Sequence, residues 1–334
     1  MTEIPLILST LASAPTEKAA LATLVSVQGS SYRRPGARLV VLESGARAGA
    51  ISGGCLEDDI VLHARQVLSS GLAGVVTYDT TRENDLIWGT GVGCHGIIRV
   101  LIESIAPARP AWVAELSGNL GRRADTELAV VVGGAAMARL GTGLARDLPP
   151  LPAGAEVFRD VVPAPPALTL FGAGDDAQPL VRMAKELGWH VTLIDSRPAY
   201  ASRERFPLAD KIWVASAEQI APHLELDGKS FVVVMTHRFQ EDLSLLRVLL
   251  RRPLAYLGLL GARRRTELLF GLLSEGESAA TPEQLERVCA PIGLDLGATT
   301  PESIALSILA EIQCHRSARV PILLRDRRAP IRVR

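Results

Sequence analysis

At 334 residues, the chain is long enough for about two ordinary domains, and its 48% apolar and 22% charged content allows a buried core and argues against bulk disorder. Its 36 Lys and Arg balance 36 Asp and Glu, which excludes a dedicated nucleic-acid binder, whose affinity needs a net basic surface. No apolar run approaches the roughly 20 residues that span a bilayer, and Met1-Thr2-Glu3-Ile4-Pro5 lacks the basic start of a signal peptide, so a cytoplasmic setting away from the membrane is expected.

In chain order, residues 22–27 and 39–42 read as strands, separated by the turn-rich run 29–37. Apolar positions Leu56, Ile60, Val61, Ala64, Val67 and Leu68 repeat with a helical period. Strands are expected at 75–78, 97–102 and 129–132, and residues 107–125 show no assignable pattern. Proline runs at 149–152 and 163–166 behave as stiff connectors. The domain boundary is expected near residue 165, giving domains 1–165 and 166–334.

Beyond it, strand candidates 168–171, 191–194, 212–214, 231–235 and 255–260 alternate with helical segments, beginning with an amphipathic helix near 177–187. Such alternation indicates a parallel sheet with right-handed crossovers. Thr281-Pro282 and Thr300-Pro301 each place a capping residue before proline at a helix start. The basic tail from Arg316 reads as a solvated arm. The fold class is therefore α/β, an N-terminal mixed domain followed by a Rossmann-type parallel-sheet domain with C-terminal helices.

Four glycine-bearing segments carry the chemistry. Gly172-Ala173-Gly174-Asp175-Asp176-Ala177 follows a strand and opens a helix, the Rossmann dinucleotide fingerprint in its G-x-G-x-x-A form. Asp195, about 20 residues on at the end of the next strand, stands where ribose recognition requires an acid. Asp175 and Asp176 would repel a pyrophosphate unless they point away or hold a metal, and Arg197 offers an alternative phosphate contact. A loop whose glycines serve only the turn is the competing reading.

Ser52-Gly53-Gly54-Cys55-Leu56-Glu57 sets a thiol at a helix start, where the dipole favours thiolate. That thiolate suits an electrophile or a soft metal, and a small buried cysteine is the equal alternative. Gln28 to Ala37 is a polar loop with Arg33 and Arg34, either an anion grip or a solvated turn. Gly89 to Gly96 carries Cys94 and His95. His237 sits on the strand-end rim where α/β sheets bind ligands. Cys289 and Cys314 read as core or helix residues, and no C-x-x-C pair suggests zinc or a disulfide framework.

Together these segments resemble the xanthine dehydrogenase accessory (XdhC/CoxI) family over nearly the full length. The N-terminal part is similar through Gly29-Ser30-Ser31, Arg33, Pro35-Gly36-Ala37, Ser52 to Glu57 and Gly91-Val92-Gly93-Cys94. The C-terminal part resembles its Rossmann domain through Phe171 to Gly174, Asp195-Ser196-Arg197, Thr236-His237, Tyr256 to Arg263, Pro291 to Ala298 and Thr300-Pro301-Glu302. The family pattern has histidine where Asp175 stands and proline where Tyr32 stands.

The resemblance implies a carrier of the molybdenum cofactor (molybdopterin) that holds it for sulfuration with a cysteine desulfurase. It implies delivery to an apo molybdenum hydroxylase of the xanthine dehydrogenase kind, as a chaperone for cofactor insertion, a role that requires no bond-making by this chain and for which no catalytic residue is assigned. On this reading the cofactor-binding candidates are Gly29, Ser30, Arg33, Gly53, Gly54, Cys55, Glu57, Cys94, Gly172, Gly174, Asp175, Asp195, Arg197 and His237, with Cys55 the molybdenum contact. A homodimer is expected on general grounds. The alternative is an NAD(P)-dependent oxidoreductase using an acid such as His237.

Overall fold

The computed structural model describes residues 3–79, 96–105, 109–276 and 279–328. The chain divides into two compact units, Met1–Pro165 and Pro166–Arg334.

The N-terminal unit holds a five-stranded antiparallel sheet in the order β3-β2-β1-β5-β4. Its strands are β1 (Ala19–Gly29), β2 (Arg38–Leu42), β3 (Arg47–Gly49), β4 (Gly74–Asp79) and β5 (Gly96–Ser104). Both faces are covered, which is why β1 and β2 read as continuous apolar runs. Ala20, Ala22 and Leu24 pack with Ile60, Ala64 and Val67 of helix α2 (Glu57–Ser70). Alternate residues Ala19 and Leu21 face helix α1 (Glu3–Ser13) and helix α3 (Ala111–Arg122) through Ile7, Leu11, Trp112 and Leu116.

Helix α3 falls in the stretch that shows no assignable pattern in the sequence. Its Ser117, Gly118 and Gly121 are poor helix formers, so its buried stripe of Trp112, Val113, Leu116 and Asn119 stabilises it through packing rather than propensity. Strands β6 (Thr126–Gly134), β7 (Gly141–Leu144) and β8 (Ala155–Val162) form a second, three-stranded antiparallel sheet in the order β7-β6-β8. Strand β8 lies between the two proline runs, where the sequence pattern marks no strand.

The C-terminal unit is a six-stranded sheet, order β11-β10-β9-β12-β13-β14, parallel at every pairing. Its strands are β9 (Ala167–Phe171), β10 (His190–Asp195), β11 (Lys211–Val214), β12 (Ser230–Val234), β13 (Tyr256–Leu259) and β14 (Val288–Cys289). This 3-2-1-4-5-6 order is the doubly wound Rossmann arrangement, whose switch point lies between β9 and β12. One face is covered by helix α4 (Ala177–Glu186) with the late helix Pro301–Arg316, and the other by helices Phe239–Leu249 and Arg263–Leu273. Helices Pro282–Glu286 and Pro301–Arg316 both begin with capping boxes, Thr281 with Gln284 and Thr300 with Ser303. Residues 317–326 beyond them are almost all exposed.

Candidate functional site

At the switch point the chain leaves β9 through Gly172, whose φ is 116°. A Cβ built there would lie 2.3 Å from the Met235 carbonyl oxygen, so only glycine lets this turn pass against the end of β12. Met235 N donates to Phe171 O at 2.8 Å and Gly172 N donates to Ile194 O at 2.8 Å, threading the loop between β12 and β10. Gly174 follows and α4 begins, with no side chain capping its start. The amide-rich helix entry demanded by the fingerprint is thus present.

Asp195 ends β10 and is buried. Its carboxylate accepts from Ala173 N at 2.9 Å, from Arg197 N and Nε at 2.9 Å each, and from Arg197 Nη2 at 2.7 Å. Burial alone would raise its pKa, but the hydrogen bonds from Arg197 and Ala173 overcome this and hold it at about 2. An acid so saturated locks the loop to the β10 end and has little left for a ribose hydroxyl.

The two loop acids also have partners. Asp175, whose side chain is 82% exposed, accepts from Arg205 Nη2 at 2.7 Å and from Gln178 Nε2 at 3.2 Å. The Arg205 hydrogen bond holds its pKa below the ordinary range. Asp176 lies 2.7 Å from His237 Nε2 across the switch point, and this contact raises the imidazole pKa. His237 itself sits at φ 61°, a rare conformation for a non-glycine residue, immediately past the β12 end.

Further along the rim, Asp242 is fully buried, accepting from Thr236 Oγ1 at 2.5 Å and Arg265 Nη2 at 2.6 Å. Arg238 donates to Ser196 Oγ at 3.0 Å and pairs with Glu241. Tyr200 lies under both Arg197, 3.8 Å from guanidinium carbon to ring centre, and Arg205 at 5.1 Å. The strand-end rim therefore surrounds the glycine loop with cation–carboxylate pairs. Sequence reasoning missed Arg205, Arg238 and Arg265, since no spacing marks residues that meet the loop only through the crossover geometry. The one available hint was the density of arginines after β10, at 197, 203 and 205.

In the N-terminal unit, Ser52 to Leu56 turns between β3 and α2. Glu57 is buried and folds back on this turn, accepting from Ile51 N at 3.2 Å, Ser52 N at 2.7 Å and Ser52 Oγ. Ser52 Oγ in turn accepts from Gly54 N at 3.2 Å and Leu56 N at 3.1 Å. Burial would raise the Glu57 pKa, but the Ser52 and backbone hydrogen bonds outweigh it and lower the value.

Glu57 therefore shapes the turn from within, while Gly53 and Gly54 are exposed and Cys55 is half-buried beside them. A methyl group on Gly53 would meet the Tyr32 ring at 3.6 Å, so the loop after β1 lies beside the Cys55 turn. Gly29 closes β1 at φ 84°, Ser30 is exposed, and Arg33 is engaged by Glu3. Cys94 and His95 lie outside the described residues.

Removing the Glu57 carboxylate strands two buried N–H groups. Glu57→Ala is expected to cost about 2–3 kcal/mol, read as a lower urea midpoint with faster amide exchange at 51–56. An unchanged midpoint and exchange pattern would discard this role.

Cys289 lies in β14, half-buried, with Sγ 3.6 Å from His315 Nε2 at a cavity of about 240 Å³. Burial pushes its thiol up to about 11, so it stays protonated at neutral pH and is a poor nucleophile. Cys314 sits within the last helix. Among the described residues no three His, Cys, Asp or Glu side chains gather as a metal site, and no helix is long and apolar enough to cross a membrane.

Comparison with known proteins agrees with this layout. Residues 168–312 match the XdhC Rossmann domain and residues 12–79 match the XdhC and CoxI family. The chain is 32% identical, over 89% of its length and 92% of the relative's, to a probable xanthine dehydrogenase subunit of Bacillus subtilis. It is 26% identical, over 88% of its length and 82% of the relative's, to the molybdenum cofactor insertion chaperone PaoD of Escherichia coli. A crystal structure described as a xanthine dehydrogenase from Bacillus halodurans superposes with a TM-score of 0.80 at 30% identity, covering 96% of this chain and 97% of that one. The chain belongs to the XdhC and CoxI family.

Proposed function

We propose that this protein carries the molybdenum cofactor, holding it for sulfuration by a cysteine desulfurase and delivering it to an apo molybdenum hydroxylase of the xanthine dehydrogenase kind. The similarity to a molybdenum cofactor insertion chaperone over 88% of the chain carries this reading. The residues fit such a cargo. In the C-terminal unit, the uncapped start of α4 behind the Gly172–Gly174 turn, with arginines on the same rim, suits a phosphate. In the N-terminal unit, Cys55 on an exposed double-glycine turn offers a soft donor to molybdenum, and Gly29, Ser30 and Arg33 of the loop after β1 are further candidates, as is Cys94 on the family resemblance alone.

A carrier needs no acid–base chemistry of its own. It must bind, protect and release, and the hydrogen-bonded frame given by Glu57 in one unit and Asp195 in the other serves to hold binding loops in shape without a catalytic group. An NAD(P)-dependent oxidoreductase is the second reading, favoured by the 3-2-1-4-5-6 strand order. It is weakened by Asp195, whose carboxylate is already saturated by Arg197 and Ala173.

Anaerobic titration of purified apoprotein with molybdenum cofactor, quantifying molybdenum and released pterin beside an NADH titration, separates the two. Near-stoichiometric cofactor without NADH binding is expected. NADH binding without cofactor would replace the proposal with the oxidoreductase. Cys55→Ala is expected to retain the fold and to lose tenfold or more in cofactor retention, a difference of about 1.4 kcal/mol. Retention and transfer equal to the unsubstituted protein would remove the thiol from this account.

A further inference from the structure

We propose that Arg205 is the principal contact for a phosphate or pyrophosphate group at the Gly172–Gly174 loop, and that the Asp175 carboxylate occupies this contact until the anion displaces it. The inference rests on the reading of the loop as the cargo's phosphate site, and it names a residue and a release device that this reading lacks.

The two arginines facing the loop differ in how they are held. Arg197 is committed, because two of its side-chain donors and its backbone N–H end on the buried Asp195. That acid is also tied to Ala173 N, so it does not leave without unmaking the loop. Arg205 is the reverse case. Its side chain is about three-quarters buried, with the guanidinium ranged beside Tyr200 and Phe206 at 5.1 and 5.9 Å. Its carboxylate partner, Asp175, is 82% exposed and touches it through one oxygen at 2.7 Å. The cation is built in and the anion is loosely presented.

Arg205 is also under-used. Its buried Nε has no hydrogen-bond partner among the described residues, and Nη2 reaches the Ala173 carbonyl only at 3.5 Å. A phosphate in the Asp175 position presents more oxygens to the guanidinium and carries more charge than one carboxylate oxygen. Exposed carboxylate–arginine pairs are weak, so the exchange is readily reversible, as hand-off of a cargo requires. Asp175 is thus a competitor covalently attached to the loop.

The test is calorimetric titration of the full-length protein with inorganic pyrophosphate at low ionic strength. Asp175→Asn is expected to bind about two- to fivefold more tightly than the unsubstituted protein. Arg205→Met is expected to lose at least tenfold, and Arg205→Lys, which keeps the cation, to lose less while retaining the same melting temperature. Unchanged or weaker binding by Asp175→Asn, or full binding by Arg205→Met, overturns the proposal, as does absence of pyrophosphate binding in all four proteins. Molybdenum cofactor and NADPH titrated against the same variants identify the source of the phosphate. If the variants shift pyrophosphate as expected but leave cofactor affinity unmoved, the Arg205 assignment stands and the cofactor reading of this loop falls.

Discussion

Asp195→Ala is expected to destabilise the C-terminal unit by about 3 kcal/mol, the scale for leaving a buried donor unpaired and losing hydrogen bonds to a charged group. The carboxylate satisfies Ala173 N–H within the glycine loop and anchors Arg197, so its loss frees the loop from the β10 end and leaves a buried donor unpaired. For a unit of this size the melting temperature should fall by roughly 6–12 °C. The same carboxylate gives a pH signature. Its folded pKa of about 2 lies below the ordinary 3.8, so its contribution is complete above pH 3.8 and is lost as the pH falls towards 2.

The difference corresponds to about 2 kcal/mol. Urea midpoints at pH 5 and pH 2.5 should therefore converge between unsubstituted protein and Asp195→Asn at the acid end. If the two proteins lose stability in parallel over that range, Asp195 is not the group responsible.

Gly172→Ala is the second large effect, expected to cost about 3–4 kcal/mol or to prevent folding of the C-terminal unit. Two penalties coincide there. The φ of 116° is a conformation that L residues rarely adopt, costing about 1–3 kcal/mol. The added methyl group would also stand 2.3 Å from a backbone carbonyl oxygen of Met235, which cannot swing aside as a side chain does. Gly54→Ala isolates the first penalty, because its φ of 113° is similar but nothing lies within 4 Å of where the methyl group would stand. It should cost only about 1–2 kcal/mol. Thermal unfolding of both variants checks the argument, and equal losses would show that the Met235 contact yields.

The candidate site was legible in the sequence to different depths. The glycine loop and the acid at the end of the next strand are local features, since a strand, a tight turn and a helix start follow one another along the chain. Their partners are not local. Asp175 meets Arg205 30 residues later and Asp176 meets His237 61 residues later, because the crossovers return both to one rim of the sheet. The acids that looked ill-placed for an anion are for this reason paired with basic side chains, Arg205 and His237, that no sequence spacing announces. Glu57 shows the same limit at short range. The family resemblance puts it among the cofactor-binding candidates, and only the folded turn shows that its carboxylate accepts from the Ile51 and Ser52 amides.

The sequence by itself determined the strand and helix alternation of the second unit, the capped starts of both late helices and the places where glycine must stand. These depend on period, turn chemistry and backbone sterics, which act within a few residues. Only the tertiary structure decided that residues 111–122 are helical, since their apolar stripe is worth little until it packs on the five-stranded sheet. It also decided which charges face the glycine loop and which carboxylates are already engaged. Those outcomes follow from strand order, and strand order is set by the packing of whole layers rather than by any segment alone.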